Sequence, residues 1–346
     1  MPRFQTVEVT EVLEERSGLQ RFAVRMADGM TARAYALTDL VGTAQVGEKL
    51  VCNTTAVDLS LGTGGWHVVH WNLSRSELDL PGPDHIMKLR YTSLQADVGT
   101  SELEHPEATD RPLGGRPVVV CTVHSQMAMV ALGFAHAAPG RRLAYVMTDG
   151  AALPLALSDL VARLRERKLL AGSVTAGHAF GGDLEAVTPA AAMGLAAHVL
   201  DADAIVVSMG PGVVGTGTAL GTTAVEAAGL LDTAAARGGV PVLCGRFSEG
   251  DPRPRHRGMS HHVSTVLDLI GCRPLMAAVP DVVGSLEGVE PRAVVPADPR
   301  ELLDRHDLEV TTMGRRCEED LVFFEAATAA GQLAAALSSD RTPTST

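Results

Sequence analysis

Two different hydrophobic patterns divide the chain. Through residues 1–75, apolar and polar positions alternate in short runs such as FQTVEVTEVLEE, and Asp28-Gly29 separates two of these runs. Alternation is typical of strands with one buried face, and Asp-Gly is typical of a tight hairpin turn. We therefore predict a small all-β barrel for residues 1–75.

From residue 116 onward, continuous apolar runs alternate with Ala-rich or amphipathic segments. Short continuous runs are typical of strands buried on both faces, and the longer segments between them have helical composition. The predicted strands are PVVVCTV, RLAYVM, GSVTA, DAIVVSM and VPVLC, with RPLMAAV as a weaker sixth. This alternation predicts a Rossmann-like α/β domain over residues 116–338, with a parallel sheet and helices on both of its faces.

The segment between these patterns and the end of the chain have a different composition. Residues 76–115 are acidic and contain several Pro and Gly residues, so we predict a connector there. A last helix is predicted from about Glu318 to Leu337, and the Ser/Thr/Pro-containing tail at 339–346 is predicted to be disordered.

Polar or glycine-rich clusters follow the predicted strands of the second domain at their carboxyl ends. In an open parallel sheet these ends share one edge, and ligands bind in the crevice beside it. We therefore expect a ligand site at this edge. The residues placed there are His124, Asp149, His178, Asp183, the loop GPGVVGTGT, Arg246, Asp251, Arg253, His256, and the pair His261 and His262.

The loop GPGVVGTGT has the G-x-G-x-x-G spacing of dinucleotide-binding loops, and it follows a predicted strand and precedes a predicted helix, as those loops do. Glycines let backbone N–H groups approach a phosphate, and a helix N-terminus favours an anion. NADP is nevertheless disfavoured, because the loop follows the fourth strand rather than the first and Pro211 occupies its second position. The residues expected to hold a small anion are Gly210, Gly212, Gly215, Thr216, Gly217 and Arg246.

Histidine and aspartate side chains at the same edge are suited to acid–base chemistry or to a divalent metal. The predicted catalytic residues are His124, Asp149, His178 and His261. A metal would be held by His178, Asp183 and His262, although their spacing matches no known ligand motif. Neighbouring helical residues point about 100° apart, so we expect His261 and His262 not to share one ion, and Ser260 to cap their helix.

A basic run adds to the chemistry of this edge. Arg253, Arg255 and Arg257 follow Arg246 in a chain whose formal net charge is −12. Such a run is usually a solvated loop, but beside the predicted crevice it is suited to binding phosphate or carboxylate.

Charge and composition exclude several classes of protein. The acidic surface argues against nucleic-acid binding, and no apolar run reaches the length of about 18 residues that a membrane span needs. No apolar signal segment is present at the N-terminus, and the five cysteines contain no C-x-x-C pair, as in a cytoplasmic protein. The Ala- and Gly-rich helices are suited to packing within one subunit or between subunits. Both a monomer and a homo-oligomer are therefore compatible with the sequence.

Several blocks of sequence together resemble a known family. The blocks are HSQMAMVA, YVMTDGAALPLALS, GHAFGGDLEAV, MGPGVVGTGTALG and RHRGMSHH. The chain resembles an uncharacterised bacterial family, a domain of unknown function found in actinobacteria and firmicutes. The resemblance implies a bacterial cytoplasmic protein with the barrel and the α/β part in one chain, and it implies no activity.

Three functions fit these observations. The first is an enzyme that acts on a small anionic substrate, phosphorylated or nucleotide-like, by hydrolysis or group transfer with the possible help of a metal. The second is a non-catalytic protein that binds a nucleotide or metabolite through the same glycine loop and needs no histidines. The third, an NADP-dependent oxidoreductase, rests on the glycine spacing and Arg246 alone.

Overall fold

The structure is a computed structural model, and it describes residues 1–62, 64–272, 275–278 and 289–339. The chain divides into two compact units, Met1–Gly99 and Thr100–Thr346. The boundary therefore falls inside the predicted connector. Part of that connector is structured, since it contains the short helix α3 described below.

The first unit is a closed five-stranded barrel. Its strands and short helices are β1 (Phe4–Arg16), β2 (Leu19–Arg25), β3 (Thr31–Ala36), α1 (Thr38–Val41), β4 (Lys49–Asn53), α2 (Thr55–Asp58) and β5 (Trp66–Asn72). The strand order is β1-β2-β3-β5-β4, and alternate side chains such as Phe22 and Val24 are fully buried in its interior. The predicted turn joins β2 to β3, where Gly29 has a φ of +86° and the Asp28 carboxylate accepts the Met30 N–H at 3.0 Å. The predicted barrel is confirmed.

The second unit contains an eight-stranded parallel sheet within the described residues. Its strands are β6 (Pro117–Cys121), β7 (Leu143–Thr148), β8 (Gly172–Ala176), β9 (Leu184–Ala186), β10 (Ala204–Met209), β11 (Val240–Cys244), β14 (Leu275–Ala277) and β15 (Val289–Pro291). The strand order is β15-β14-β11-β6-β10-β7-β8-β9. Two further strands, β12 (Phe247–Ser248) and β13 (Gly258–Met259), form a separate antiparallel pair.

Helices cover both faces of this sheet. They are α3 (Pro106–Asp110), α4 (Gln126–Ala137), α5 (Asp159–Glu166), α6 (Pro189–His198), α7 (Glu226–Ala236), α8 (His261–Leu269), α9 (Pro299–Arg305) and α10 (Leu321–Ser339). Val119 belongs to a core shared with α4 and α10, whereas its neighbour Val120 belongs to a core shared with α6 and α7. A strand with a core on each face needs apolar residues at every position, which explains the continuous runs in the sequence.

The α/β architecture is confirmed, but its strand order differs from that of dinucleotide-binding folds. Numbered within the sheet, those folds have the order 3-2-1-4-5-6. Here β10 lies between β6 and β7, so the first two strands of the sheet are not neighbours.

The C-terminal helix α10 is long and apolar enough to cross a membrane by length and composition alone, but most of it is buried inside the protein. It packs closely against α4, where Gly133 faces the Thr328 carbonyl and Gly331 faces the Val130 carbonyl. This burial is typical of the core helix of a soluble protein. The tail predicted to be disordered lies outside the described residues, except Ser339, which ends α10.

The contact between α4 and α10 predicts opposite effects for two Gly-to-Ala changes. A Cβ at Gly331 would collide with the Val130 carbonyl, so Gly331→Ala should lower the free energy of unfolding by about 1–3 kcal/mol. Gly229, in α7, has nothing within 4 Å of an added Cβ, so Gly229→Ala should raise it by roughly 0.5–1 kcal/mol. Urea unfolding of both variants measures the two changes, and equal effects at the two sites would contradict the close helix approach.

Candidate functional site

Three histidine rings lie together beside the start of α8, and we call them the histidine cluster. They are His256, His261 and His262, and one ring nitrogen of each lies within 4.8 Å of the others. The ring centroids of His261 and His262 are 4.3 Å apart, and the centroid of His256 lies 4.9 and 5.0 Å from theirs.

The convergence of these rings follows from their place in the fold. His261 and His262 are the first two residues of α8, and helical side chains lean toward the helix N-terminus. No earlier turn of helix separates them there, so both rings reach the short 3₁₀ turn that ends at His256. The 100° separation of the two neighbours therefore does not keep their rings apart, and whether they share one ion stays a prediction. Ser260 is the N-cap, as predicted, and its hydroxyl accepts the His262 N–H at 3.3 Å.

Several ring nitrogens of the cluster are buried without a hydrogen bond. Among the described residues, both ring nitrogens of His261 and Nδ1 of His262 have no hydrogen-bond partner. Burial and nearby positive charge lower the pKa of His256 to about 3 and that of His262 to about 4. These rings are therefore neutral at pH 7. Buried polar atoms without partners are costly and uncommon, so each of these nitrogens calls for a partner such as a water, an ion or a ligand.

A buried network of charges lies next to the cluster, and we call it the arginine–aspartate network. Asp251 is fully buried, and its carboxylate accepts hydrogen bonds from Arg246 at 2.7 Å, Arg253 at 2.8 Å and Arg315 at 3.3 Å. Arg315 also pairs with the buried Asp320 at 3.0 Å. Three guanidiniums face two carboxylates, so the network carries an excess positive charge.

The network changes the protonation of its own members. Burial by itself would raise the pKa of Asp251, but hydrogen bonds from Arg253 and the charge of Arg246 hold it well below its usual range. Burial lowers the pKa of Arg246 to about 10, which leaves the guanidinium charged at neutral pH. Its Nε is buried without a hydrogen bond among the described residues. Arg246 was predicted as an anion ligand, and the structure also gives it a structural ion pair.

A small pocket of about 160 Å³ joins these groups to the glycine loop. Gly215 and Gly217 line it from the loop, and Arg246, Arg253 and the histidine cluster line it from the other side. Arg255 also lines the pocket, and its guanidinium makes no ion pair or hydrogen bond within the part of the chain that the structure describes. The structure thus brings the predicted glycines Gly215 and Gly217 together with Arg246 and both predicted histidines of α8.

The glycine loop does not run directly into a helix, contrary to the prediction. Helix α7 begins at Glu226, after a 3₁₀ turn over Thr223–Val225. The loop folds back on itself instead, since the Thr216 N–H donates to the Gly221 carbonyl at 2.7 Å. A helix N-terminus therefore does not follow the glycines as it does in dinucleotide sites.

The other predicted glycines have separate explanations. A Cβ at Gly210 would collide with the Ala152 carbonyl, so close packing requires this glycine. Gly212 has a φ of +104° and open space around it, so the turn itself requires it. Thr216 hydrogen-bonds Thr218 at 3.0 Å. Gly210, Gly212 and Thr216 are not among the residues that line the pocket.

His124 lies at the end of β6 and uses both ring nitrogens inside the protein. Nδ1 is 3.0 Å from the Met209 carbonyl oxygen, and Nε2 is 2.7 Å from Ser158 Oγ. A carbonyl only accepts, so Nδ1 carries the proton and Nε2 accepts from the serine hydroxyl. Burial lowers the pKa of His124 to about 4. The side chain joins the end of β10 to the start of α5, and it does not line the pocket.

Asp149 and His178 meet at the ends of β7 and β8, as expected for neighbouring parallel strands. The Asp149 carboxylate accepts the His178 main-chain N–H at 2.9 Å, and neither residue lines the pocket. Asp183 is not at this edge, because β9 runs parallel to β8 and the loop between them returns to the amino end of β8. There the Asp183 carboxylate accepts the N–H and the hydroxyl of Ser173, both at 2.8 Å. The structure therefore does not assemble the predicted metal ligands His178, Asp183 and His262.

Sequence reasoning gave no role to two important residues. His256 was placed at this edge of the sheet without a function, and the structure shows it buried like His262 and beside both histidines of α8. Glu226 accepts the Thr148 hydroxyl at 2.7 Å, and burial together with the charge of Asp149 raises its pKa to about 7. A carboxyl group of this pKa is suited to general acid–base work. A glutamate in a first helical turn is too common to stand out in a sequence.

The raised pKa of Glu226 predicts that the free energy of unfolding falls as the pH rises. Folding favours its protonated form, so stability is lost as pH rises from about 4.5 to about 7. Glu226→Gln keeps an acceptor for Thr148 without the charge, so it should be more stable than wild type by about 1–3 kcal/mol at pH 8. The difference should vanish near pH 4. Denaturant unfolding at both pH values measures it, and a difference that does not change with pH would contradict the assignment.

Comparison with known proteins places the chain in a family. No curated protein and no solved structure matches it. A family model described as "Protein of unknown function (DUF3866)" matches residues 33–331, which include parts of both units. This match confirms the resemblance to an uncharacterised family that the sequence blocks indicate. The chain therefore belongs to the DUF3866 family.

Proposed function

We propose that this protein is an enzyme that acts on a small anionic substrate, phosphorylated or nucleotide-like, by hydrolysis or group transfer. The reaction would take place in the pocket between the glycine loop and the histidine cluster. One observation carries the proposal: buried nitrogens without partners, on His261, His262 and Arg246, lie around the same pocket.

The charge of the pocket favours an anion. The arginine–aspartate network has one more guanidinium than carboxylate, and the unpaired guanidinium of Arg255 adds to it. Guanidiniums bind phosphate and carboxylate oxygens through two parallel hydrogen bonds. The volume of about 160 Å³ is below the range of roughly 300–1,000 Å³ that encloses a whole drug-sized ligand. The pocket is therefore suited to the charged group, with the rest of the substrate lying over the exposed loop.

The histidines favour catalysis over simple binding. Guanidiniums alone are sufficient to hold an anion, so a binding protein gains nothing from three neutral imidazoles, two of them buried. Neutral imidazoles beside a bound phosphoryl group can accept a hydrogen bond from the attacking water or hydroxyl and orient it, while the guanidiniums stabilise the charge that develops. The third hypothesis, an NADP-dependent oxidoreductase, is not favoured, since no helix follows the glycines directly and the strand order differs from that of dinucleotide-binding folds.

The proposal includes a cytoplasmic location. Cys121 and Cys244 are register partners on neighbouring strands, and both are free thiols. Free thiols are typical of a reducing compartment.

The anion site is tested by removing one guanidinium. Arg255→Gln should weaken the binding of pyrophosphate, or of the best ligand in a panel of nucleotides and sugar phosphates, by about tenfold or more, because a charged hydrogen bond contributes about 1.5–3 kcal/mol. Arg305→Gln makes the same change of net charge on α9 and should leave affinity unchanged. Calorimetry measures both variants. Equal affinities in the two would contradict an anion site at this pocket.

Catalysis is tested with the same panel. Wild-type protein should release product from the anion it binds, and His261→Gln should abolish release while the protein stays folded. Binding without any turnover would contradict the enzyme and support the non-catalytic alternative.

A further inference from the structure

The histidine cluster has the dimensions of a metal site. Any three points within 4.8 Å of one another have a common centre no more than about 2.8 Å from each. Zinc–imidazole bonds are about 2.0–2.1 Å long. Ring movements of less than about 1 Å would therefore place all three nitrogens in bonding distance of one ion.

The donor set indicates the class of metal. Imidazole nitrogens suit zinc and the neighbouring divalent transition metals, whereas magnesium and calcium require oxygen ligands. The nearest carboxylate of the network, Asp251, is already occupied by guanidiniums. Three protein ligands leave a fourth position open, which is the arrangement of catalytic rather than structural zinc sites.

Burial supplies the independent observation. His256 is 1% exposed and His262 is 5% exposed, so water does not reach these rings freely. Nδ1 of His262 and both nitrogens of His261 have no partner among the described residues, and a metal would satisfy one nitrogen on each ring.

Ser260 supplies the outer contact that metal-binding histidines usually make. Its hydroxyl lies 2.8 Å from Nδ1 of His256. That bond orients the ring and leaves Nε2 as the nitrogen directed to a metal.

We propose that His256, His261 and His262 bind one divalent transition metal of the zinc class, and that the open position of this metal receives the anionic group of the substrate. The second half of the proposal rests on the proposed function. A divalent ion beside Arg246, Arg253 and Arg255 adds positive charge to an already positive pocket. The metal and the anion must therefore strengthen each other's binding, and by linkage they do so by the same factor.

Metal binding is tested directly on the whole protein. After removal of metal with a chelator, wild-type protein should bind one equivalent of Zn²⁺, measured by calorimetry and by elemental analysis after dialysis. Co²⁺ bound in its place should give the strong visible absorption of a four-coordinate ion. Absence of stoichiometric Zn²⁺ binding would overturn the proposal.

Variants identify the ligands. His261→Gln and His262→Gln should each weaken Zn²⁺ binding by more than about 100-fold, beyond the loss of 10–100-fold that removal of an outer contact causes. Ser260→Ala should fall within that smaller range. His136→Ala, an exposed histidine at the end of α4, should change nothing. His178→Ala tests the ligand set predicted from sequence, and loss of Zn²⁺ in that variant but not in the cluster variants would overturn the site.

The effect of pyrophosphate on Zn²⁺ binding distinguishes this proposal from the proposed function. Pyrophosphate should tighten Zn²⁺ binding to wild-type protein, and Arg255→Gln should remove much of that gain while Zn²⁺ alone still binds. Pyrophosphate that binds equally well with and without Zn²⁺ would overturn the role of the metal and leave the anion site intact. Zn²⁺ binding without any effect of pyrophosphate, nucleotides or sugar phosphates would support the metal site and contradict the proposed substrate class.

Discussion

The candidate site depends on the pairing of one buried carboxylate. A charge taken out of water is costly unless it is paired and hydrogen-bonded, and Asp251 is fully buried. Its pairing joins Arg246, at the end of β11, to Arg253 in the following loop and to Arg315 from a distant part of the chain. These three anchors hold the segment that carries His256 against the start of α8. The histidine cluster therefore has its shape because the carboxylate beside it must be neutralised.

The barrel and the parallel sheet were predictable because burial leaves a direct trace in the sequence. Alternation in β1 and β2 follows from one buried face, and the continuous apolar residues of β6 and β10 follow from two. The order of the strands in the sheet does not produce a comparable pattern of apolar residues. The position of β10 between β6 and β7 depends on which helix packs on which face, and so the departure from the Rossmann order was not recoverable from composition.

The site was predictable only in part, for a similar reason. Chain position correctly placed Arg246, His261 and His262 at one edge of the sheet. It did not show which polar side chains would have their hydrogen bonds satisfied inside the protein. His124 looks like a catalytic residue in the sequence, yet its ring bridges Met209 and Ser158. Asp183 was misplaced because a short connection between parallel strands must return to the opposite edge. His256 was given no role because its closeness to α8 depends on the network around Asp251, which no local pattern reveals.

The position of β6 also constrains how the chain assembles. β6 is the first strand of the sheet to leave the ribosome, but its neighbours β10 and β11 are made more than 80 residues later. The central strand is thus the first to be synthesised and among the last to be paired. Until β10 emerges, β6 has two unpaired edges and two apolar faces, a state prone to wrong contacts with other chains. Helix α4 is the next element in the chain after β6. Its packing against β6 protects one of those faces until β10 and β11 are synthesised.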